Sequence, residues 1–332
     1  MKKLTCILLT LILLLSLAAC GNKSVTTTNG GGTTTGQTTT TTQTTTNPTT
    51  DKTNTTPTAP ETNVPTTENL GGEQIAVGAY RVEFVGAEAL EDDDGESAIR
   101  VWYDFTNASE QVVTPFEALT FTVEQDGDEL DIAYLYDDVP EAANGSFAVA
   151  PGYTARCAQL YGYDPALGAV TATLGDYYGE AATCEFDPNA LPGAPEYDGP
   201  AWEADPGTPA YMLDVSETGE GVEILGVEAG VDWDDESVII VRYRFTNNSG
   251  DDASFFSAFA AYAVQDGFGL ERSESAEYAR EQENVTEEIA PGESIECACA
   301  YLLRTDDPVA VVLKEFAGDG YFGQVFEVPA AG

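Results

Sequence analysis

The sequence of 332 residues predicts an all-β chain with two tandem β-sandwich domains, and three observations lead to this fold class. The phrase YDFTN at 103–107 returns as YRFTN at 243–247, which indicates an internal duplication. Around both phrases, apolar and polar residues alternate with a period of two, as in strands with one buried face. Short strand-like segments follow one another at roughly ten-residue spacing, with no long amphipathic helix between them.

The duplication extends over most of both halves of the chain. A fixed offset of 140 residues aligns further pairs without a gap: 82–89 with 222–229, 125–127 with 265–267, 150–152 with 290–292, Cys157 with Cys297, and Phe186 with Phe326. A period this long indicates two globular domains, because solenoid repeats have periods of about 20–50 residues. We therefore assign residues 71–187 to the first repeat and residues 211–332 to the second.

The alternation also predicts which side chains face the core. In the segment AIRVWYDF, Ile99, Val101, Tyr103 and Phe105 share one face, which leaves Trp102 on the outward face. The Thr-Asn pair that follows predicts a polar turn, because Asn and Ser side chains bond to nearby backbone groups. QDG in each repeat predicts a hairpin turn between two strands.

The first 20 residues resemble a bacterial lipoprotein signal peptide. Two lysines precede an apolar stretch from Leu4 to Ala19, which is too short for a transmembrane helix of about 20 residues. LAAC at 17–20 matches the lipobox of that family. The resemblance implies that residues 1–19 are removed and that Cys20 receives a lipid, which anchors the protein to the extracellular face of the bacterial cell membrane. The alternative is an ordinary secretory signal in which Cys20 is incidental.

Two segments lack the composition of packed domains. Residues 20–70 form a Thr-rich segment with 23 threonines between Ser24 and Thr67, and it buries too little apolar surface to fold. We expect this segment to be a disordered tether. Residues 188–210 are rich in Pro and Gly, and we interpret them as a semi-rigid connector that holds the two sandwiches apart.

The charge of the chain is strongly negative, with 57 acidic and 13 basic residues. Three of the acids and four of the bases lie in residues 1–70, so residues 71–332 contain 54 acidic and 9 basic residues, a net charge of −45. This charge disfavours nucleic acid and anionic lipid as partners, because no basic patch exists. It is typical of a solubilising surface, or of a surface that collects cations or basic partners.

Enzymatic chemistry is not indicated. The chain has no histidine, which excludes Ser-His-Asp and Cys-His pairs and His-ligated metal sites. No nucleotide-binding fingerprint with a Gly-rich loop occurs. A carboxylate pair could hydrolyse glycosides, but the sequence does not single out two acids among 54. We therefore predict that the protein is not an enzyme and has no cofactor, with calcium as the one ion to consider.

The repeated pattern resembles a known family of domains. The segments ESAI, YDFTN-x-S, QDG and APG, in this order, are similar to a small extracellular domain of unknown function in lipoproteins of Gram-positive bacteria. The resemblance covers about residues 73–187 and 211–329. It implies immunoglobulin-like β-sandwiches similar to the mycobacterial immunoprotective extracellular antigen. It implies no catalytic or binding residues.

Four cysteines remain after removal of the signal peptide and lipidation of Cys20. Cys157 and Cys184 lie on strands of the first repeat that could be neighbours, so we expect a disulfide in a secreted domain. The second repeat has Cys297 and Cys299, two positions apart on one strand. These are either buried inert thiols, which we favour, or a strained bridge.

Acidic clusters occur at 91–97 and 232–237, each between two predicted strands. Their carboxylate density suits calcium, although neither cluster fits the EF-hand pattern, and ordinary hairpin turns would also explain them. If calcium binds, the candidate ligands are Asp92, Asp94, Glu96, Asp232, Asp234 and Asp235.

Exposed aromatic residues are the candidates for a binding site. Trp102 on the predicted outward face, together with Tyr177 and Tyr178, could stack on a sugar ring or anchor a protein contact. Trp102 could instead cover a loop or the neighbouring domain. We therefore predict a membrane-anchored, non-enzymatic binding module for a cell-surface protein or glycan. The alternatives are an accessory protein that binds a small solute or a cation, and a structural spacer.

Overall fold

The computed structural model describes residues 74–136, 138–196, 202–204, 218–219, 221–275, 278–317 and 320–329. The predicted signal peptide, Cys20 and the Thr-rich tether lie outside the described residues. The strands are β1 (Ile75–Val77), β2 (Tyr80–Glu91), β3 (Ser97–Asn107), β4 (Thr120–Gln125), β5 (Asp128–Glu129), β6 (Tyr153–Gly162), β7 (Val170–Gly175), β8 (Ala181–Phe186), β9 (Trp202–Ala204), β10 (Thr218–Gly219), β11 (Val222–Val231), β12 (Ser237–Thr246), β13 (Phe259–Gln265), β14 (Phe268–Gly269), β15 (Arg272–Ser273), β16 (Ser294–Leu302), β17 (Val309–Glu315) and β18 (Tyr321–Phe326).

The strands form four antiparallel sheets, two in each repeat. The first repeat has sheets of order β1-β2-β3-β6-β9 and β5-β4-β7-β8, and the second has β10-β11-β12-β16-β15 and β14-β13-β17-β18. In both repeats, apolar side chains from the two sheets meet in one buried core. The prediction of an all-β chain with two tandem sandwiches is therefore confirmed.

The described helices are short and lie at the ends of strands. α1 (Pro115–Ala118) precedes β4, α2 (Phe255–Ala258) precedes β13, and α3 (Ala279–Glu283) lies between β15 and β16. Both α1 and α2 begin with a capping box, in which Thr114 or Ser254 pairs with the residue three positions later. Further 3-10 turns occur at Pro140–Ala142, Asn144–Ser146 and Asn284–Thr286.

The repeated FTN-x-S phrase forms a buried turn around one asparagine. Asn107 donates from its side-chain nitrogen to the carbonyl oxygens of Gln111 (2.8 Å) and Val149 (2.7 Å), and its Oδ1 accepts from the amide and hydroxyl of Ser109. Asn247 makes the corresponding four bonds in the second repeat. Because a buried amide must be paired to be stable, both copies need asparagine at this position.

One strand departs from the offset of 140 residues. Val170 on β7 lies opposite Phe186, and Val309 on β17 lies opposite Phe326. Val170 therefore corresponds to Val309, an offset of 139, whereas the two phenylalanines keep the offset of 140. The loop before β17 is one residue shorter than its counterpart, and β17 itself is one residue longer than β7. The gap-free alignment is thus wrong for β17.

A third layer covers the outer face of the first sheet in each repeat. In the first repeat, Asp138 pairs with Arg100 on β3 (2.5 Å), and the Asn144 side chain donates to the carbonyl of Arg156 on β6 (2.7 Å). In the second repeat, Tyr278 beside α3 packs on a separate apolar cluster of Val238, Ile240, Ala298 and Ala300. The third layer therefore covers part of the outward face of each first sheet, whereas Arg242, Arg244 and Glu296 remain partly exposed on that face in the second repeat.

The two repeats pack directly against each other. The Ala150 amide donates to the Gly267 carbonyl (2.8 Å), and the Gly269 amide donates to the Ala148 carbonyl (2.6 Å). The Val112 amide also donates to the hydroxyl of Tyr321 (3.1 Å). A buried apolar cluster surrounds these bonds, with Val112, Ala148 and Ala150 from the first repeat and Val264, Ala310 and Val312 from the second.

The prediction that residues 188–210 hold the sandwiches apart is therefore wrong. The Gly193 amide donates to the carbonyl of Ala87 (2.8 Å), and Leu191 packs against the first core. β9 then pairs with β6. The described parts of this segment thus extend the first sandwich, and the repeats meet elsewhere.

Among the described residues, no helix has the length and apolar character that a membrane span requires.

We expect Gly267→Ala to destabilise the chain more than Gly127→Ala, its counterpart in the first repeat. Both glycines have a positive φ, +82° and +89°, so a side chain costs about 1–2 kcal/mol at either position. A Cβ at Gly267 would also lie 2.2 Å from the ring of Tyr153 in the other repeat, whereas Gly127 has nothing within 4 Å. This clash adds about 1–3 kcal/mol. Denaturant unfolding of the two variants measures the difference, and equal losses would contradict the contact between the repeats.

Candidate binding surface

Trp102 does not form an exposed aromatic site, and this prediction is wrong. Its side chain is 2% exposed, although it lies on the outward face of β3 as predicted. The guanidinium of Arg100 lies 5.5 Å from its ring and is held by Glu88 and Asp138. Gly193 lies against Gly86, the residue opposite Trp102 on β2. The alternative that Trp102 covers a loop is the one that the structure supports.

Tyr177 and Tyr178 lie in the turn between β7 and β8 and are 68% and 95% exposed. The turn is rigid, because Asp176 accepts from the backbone amides of Tyr178 and Glu180. β7 belongs to the second sheet, whereas Trp102 is buried under the outer layer of the first sheet. The structure therefore does not bring these tyrosines and Trp102 into one site.

The two acidic segments are hairpin turns that use one carboxylate each to hold their own backbone. Asp92 accepts from the amides of Asp94 (3.0 Å) and Glu96 (2.9 Å). Asp232 accepts from the amides two and four positions later in the same way, and also from the hydroxyl of Ser273 (2.9 Å). We name residues 92–96 the first acidic turn and residues 232–236 the second acidic turn.

These bonds lower the pKa of Asp232, with the amide of Glu236 as the largest cause and the Ser273 hydroxyl and Asp234 amide as further ones. The remaining carboxylates of each turn do not converge with other ligands. Within the residues that the structure describes, no three His, Cys, Asp or Glu side chains form a group that could hold a metal ion. Asp92, Asp94, Glu96, Asp232, Asp234 and Asp235 are thus not assembled into a calcium site.

The predicted disulfide between Cys157 and Cys184 is not formed, because both are free and buried thiols. Cys184 lies on β8, which packs against β1 and β2. Cys157 lies on β6, on the other side of β3 from β2. Two strand spacings of about 4.8 Å already separate β6 from β2. A disulfide needs Cα atoms within about 7 Å of each other.

Cys297 and Cys299 are also free and buried in the second core, which agrees with the interpretation as buried thiols. They lie two positions apart on β16 and face Tyr243 and Val241 on β12. Burial raises the pKa of each of the four thiols, and that of Cys184 rises to about 12. None of them is therefore positioned as a nucleophile.

Most arginines are used inside the sheets. Arg156 pairs with both carboxylate oxygens of Asp104 at 2.8 Å, and Arg244 bridges Glu223 and Glu296. Lys314 forms no ion pair with a described residue, and it lines an open groove of about 490 Å³ where the repeats meet. The other lining residues are Ala79, Tyr80, Ala108, Ser109, Glu110, Gln111, Val112 and Val113.

The exposed aromatic surface of the first repeat lies beside its acidic turn. Ile132, Tyr134 and Tyr136 alternate along an extended segment and are 56%, 65% and 67% exposed. We name these three residues the tyrosine stripe. The Ala133 amide donates to the carbonyl of Leu160 (2.9 Å), which fixes the segment to the end of β6. The stripe is thus presented on a fixed backbone at the edge of the first sheet.

The second repeat has an exposed tryptophan at the corresponding corner. Trp233 is 64% exposed and lies within the second acidic turn, at the position that Asp93 occupies in the first. The second repeat has no tyrosine stripe, because Arg272 and Glu274 replace Ile132 and Tyr134. The guanidinium of Arg272 instead turns onto the ring of Phe256, at 4.2 Å.

Sequence reasoning missed both Trp233 and the tyrosine stripe. The alternation in DIAYLYD was visible, but strand patterns alone do not tell which edge of a sheet remains uncovered. Trp233 could have been found from its place between Asp232 and Asp234, because a tryptophan in a polar hairpin turn has no core to enter. Trp102, by contrast, was misjudged because the sequence does not show the outer layer.

Comparison with known proteins gives a family without an assigned function. A family described as "Domain of unknown function (DUF5067)" matches residues 53–164 and 214–315. The prediction that both repeats belong to one domain family of unknown function is therefore confirmed. The similarity to immunoglobulin-like domains and to the mycobacterial antigen stays a prediction.

Two further comparisons add little. No curated protein matches the chain. A solved structure described as a candidate lipoprotein from Staphylococcus aureus subsp. aureus is 14% identical, and the match covers 37% of this chain and 92% of that one with a TM-score of 0.30. At that TM-score the likeness supports no conclusion about this chain.

We expect Asp232→Asn to make the stability of the chain less sensitive to acid. The folded state lowers the pKa of Asp232, so its ionised form stabilises the fold above the unfolded pKa of about 3.9. That stabilisation is lost as the pH falls through the lower, folded-state pKa. Asparagine can still accept the turn bonds but does not titrate. Melting temperatures measured between about pH 6 and pH 2 should therefore fall less steeply in the variant.

Asp234→Asn is the matched control for this measurement. It removes the same charge from the same turn, but the Asp234 carboxylate accepts none of the turn bonds. Its melting temperature should keep the pH dependence of the unmodified chain. An identical change in the two variants would show that net charge, and not the bonds to Asp232, governs the response.

We expect the four described thiols to be inert in the folded chain at pH 8. Burial raises their pKa values, so the reactive thiolate is scarce and the sulfur is shielded. A chromogenic disulfide reagent should label them only after denaturation. A peptide map under non-reducing conditions should show Cys157 and Cys184 unlinked. A linked pair in that map would contradict the separation of β6 and β8.

Proposed function

We propose that this chain, which belongs to the DUF5067 domain family, acts as a lipid-anchored and non-enzymatic binding module on the extracellular face of the bacterial cell membrane. The N-terminal sequence supports the anchor, since the lipobox-like LAAC places Cys20 directly after the apolar segment. Two lipid chains on such a cysteine give durable membrane attachment. The Thr-rich segment then separates the anchor from the folded repeats.

The absence of a histidine and the burial of the four thiols support a role other than catalysis. The common nucleophile–base pairs cannot form without histidine or an accessible thiol. Binding is therefore the function that the described surface supports best.

The single observation that carries this proposal is the tyrosine stripe. Tyr134 and Tyr136 expose about two thirds of their side chains on a backbone fixed by bonds to β6. Tyrosines are common anchors of binding surfaces, because they combine a large apolar area with a hydroxyl and lose little side-chain entropy. They lie beside the first acidic turn, and the second repeat has Arg272 and Glu274 in place of Ile132 and Tyr134.

The alternative of small-solute binding has less support. The groove beside Lys314 has the volume of a ligand pocket but is open, and it is lined mainly by backbone and short side chains of residues 108–113. Solute sites enclose most of their ligand. A projecting aromatic surface is instead suited to a large partner such as a protein or glycan.

We expect replacement of both tyrosines of the stripe, Tyr134→Ser with Tyr136→Ser, to weaken binding of the partner. The full-length chain, immobilised through its N-terminus, would be exposed to solubilised envelope of the source bacterium and to host mucus. A saturable, stoichiometric partner should bind at least about tenfold more weakly to the variant. Truncation of a central aromatic hot-spot residue typically costs about 2 kcal/mol or more of binding free energy.

The matched control is Tyr177→Ser with Tyr178→Ser. It removes the same two side chains from an equally exposed turn and leaves the net charge unchanged. This control should bind the partner within about twofold of the unmodified chain, as expected for surface changes outside a binding site. A partner that is retained by the stripe variant and lost by the control would contradict the proposed surface.

A further inference from the structure

We propose that the partner is a basic protein segment, and that each repeat offers it one corner where an exposed aromatic residue and carboxylates without an ion-pair partner among the described residues share one turn or adjoining backbone segments. This inference rests on the proposed function, because it names the chemistry of the partner of the same surface. The first corner consists of Tyr134 with the first acidic turn. The second corner consists of Trp233 within the second acidic turn.

The first corner joins the backbone of Tyr134 to the backbone of the first acidic turn. The amide of Asp93 donates to the carbonyl of Tyr134 (3.3 Å), so the extended segment lies against the turn between β2 and β3. Asp93, Asp94 and Glu96 are exposed and form no ion pair with any described residue. Among the described residues, these carboxylates thus have no cationic partner, and they lie on a turn bonded to the segment whose Tyr134 is two-thirds exposed.

The second corner reaches the same chemistry with different residues. Trp233 lies in the turn itself, and Asp234, Asp235 and Glu236 around it are exposed and form no ion pair with the described part of the chain. The bond from Ser273 to Asp232 (2.9 Å) fixes this turn to the end of β15. In the first repeat the ring comes from the neighbouring segment, and in the second it comes from the turn.

The combination of ring and carboxylate selects a cation. Lysine and arginine side chains bind over aromatic faces and pair with carboxylates at the same time. The net charge of −45 on residues 71–332 attracts a basic partner and repels anionic glycans and nucleic acid. A neutral glycan could stack on the rings and donate hydroxyl hydrogen bonds to the carboxylates, but it carries no positive charge for the acidic surface to attract. Charge complementarity therefore favours a basic segment over a glycan.

Two corners on one chain allow binding at two points. The bonds between Ala148–Ala150 and Gly267–Gly269 tie the repeats together, so a partner that occupies one corner is held near the chain that carries the other. A second contact made in this way strengthens binding without a new partner molecule. A basic segment long enough to reach both corners should bind more tightly than a short one.

The test measures binding of an oligolysine peptide to the full-length chain by titration calorimetry at two salt concentrations. Tyr134→Ser and Trp233→Ser should each weaken binding about two- to fivefold, and the double variant about tenfold, because exposed cation–π contacts have this strength. Tyr178→Ser is the matched control and should leave the affinity unchanged. An oligoglutamine peptide and a cello-oligosaccharide serve as neutral probes and should not bind.

The outcomes separate this inference from the proposed function. Oligolysine affinity that is the same in the double variant and the unmodified chain would mean diffuse attraction to the acidic surface, and would overturn the two corners. Binding of the cello-oligosaccharide that depends on the rings would overturn the basic partner but leave the stripe as a binding surface. If stripe replacement abolishes binding of the envelope partner but oligolysine does not bind the unmodified chain, the basic partner is likewise overturned and the stripe is kept as a binding surface. Circular dichroism confirms that each variant keeps its fold.

Discussion

The contact between the two repeats is the constraint on which the rest of the arrangement depends. Main-chain bonds join Ala148 and Ala150 to Gly269 and Gly267, and small or flat residues surround them so that the backbones can approach. Glycine is required at 267, where the φ of +82° and the ring of Tyr153 leave no room for a side chain. The two copies of the domain are thereby joined by main-chain hydrogen bonds and a shared apolar cluster.

The two copies have diverged where this contact requires it. The face of β13 and β17 that meets the first repeat is apolar, with Val264, Ala310 and Val312. The corresponding residues of the first repeat are Glu124, Thr171 and Thr173, and that face meets solvent. A head-to-tail contact between identical copies could continue into a filament. The first repeat has polar residues at these positions, so it lacks the apolar face with which the second repeat makes this contact.

The sequence predicted the features that repeat and missed those that do not. Alternating residues identified β3 and β12, and the shared Asn107 and Asn247 marked a turn in which three of the four asparagine bonds are local. The prediction of a disulfide was wrong because strand order decides whether Cys157 and Cys184 meet, and strand order depends on long-range pairing. The exposure of Trp102 was mispredicted for a similar reason, because its surroundings come from segments distant in sequence: Gly193 lies against Gly86 opposite Trp102, and Asp138 holds the Arg100 guanidinium beside its ring. The exposed rings of Tyr134 and Trp233 became visible only when the covered and open edges of the sheets were known.

Hydrogen–deuterium exchange of the full-length chain, with and without its captured partner, tests the central claim most directly. The account predicts slower amide exchange at residues 131–136 and 231–236 in the complex, and no change in the turn that contains Tyr177 and Tyr178. Protection confined to the groove at residues 108–113 and around Lys314, or an exchange pattern unchanged by the partner at both corners, would contradict it.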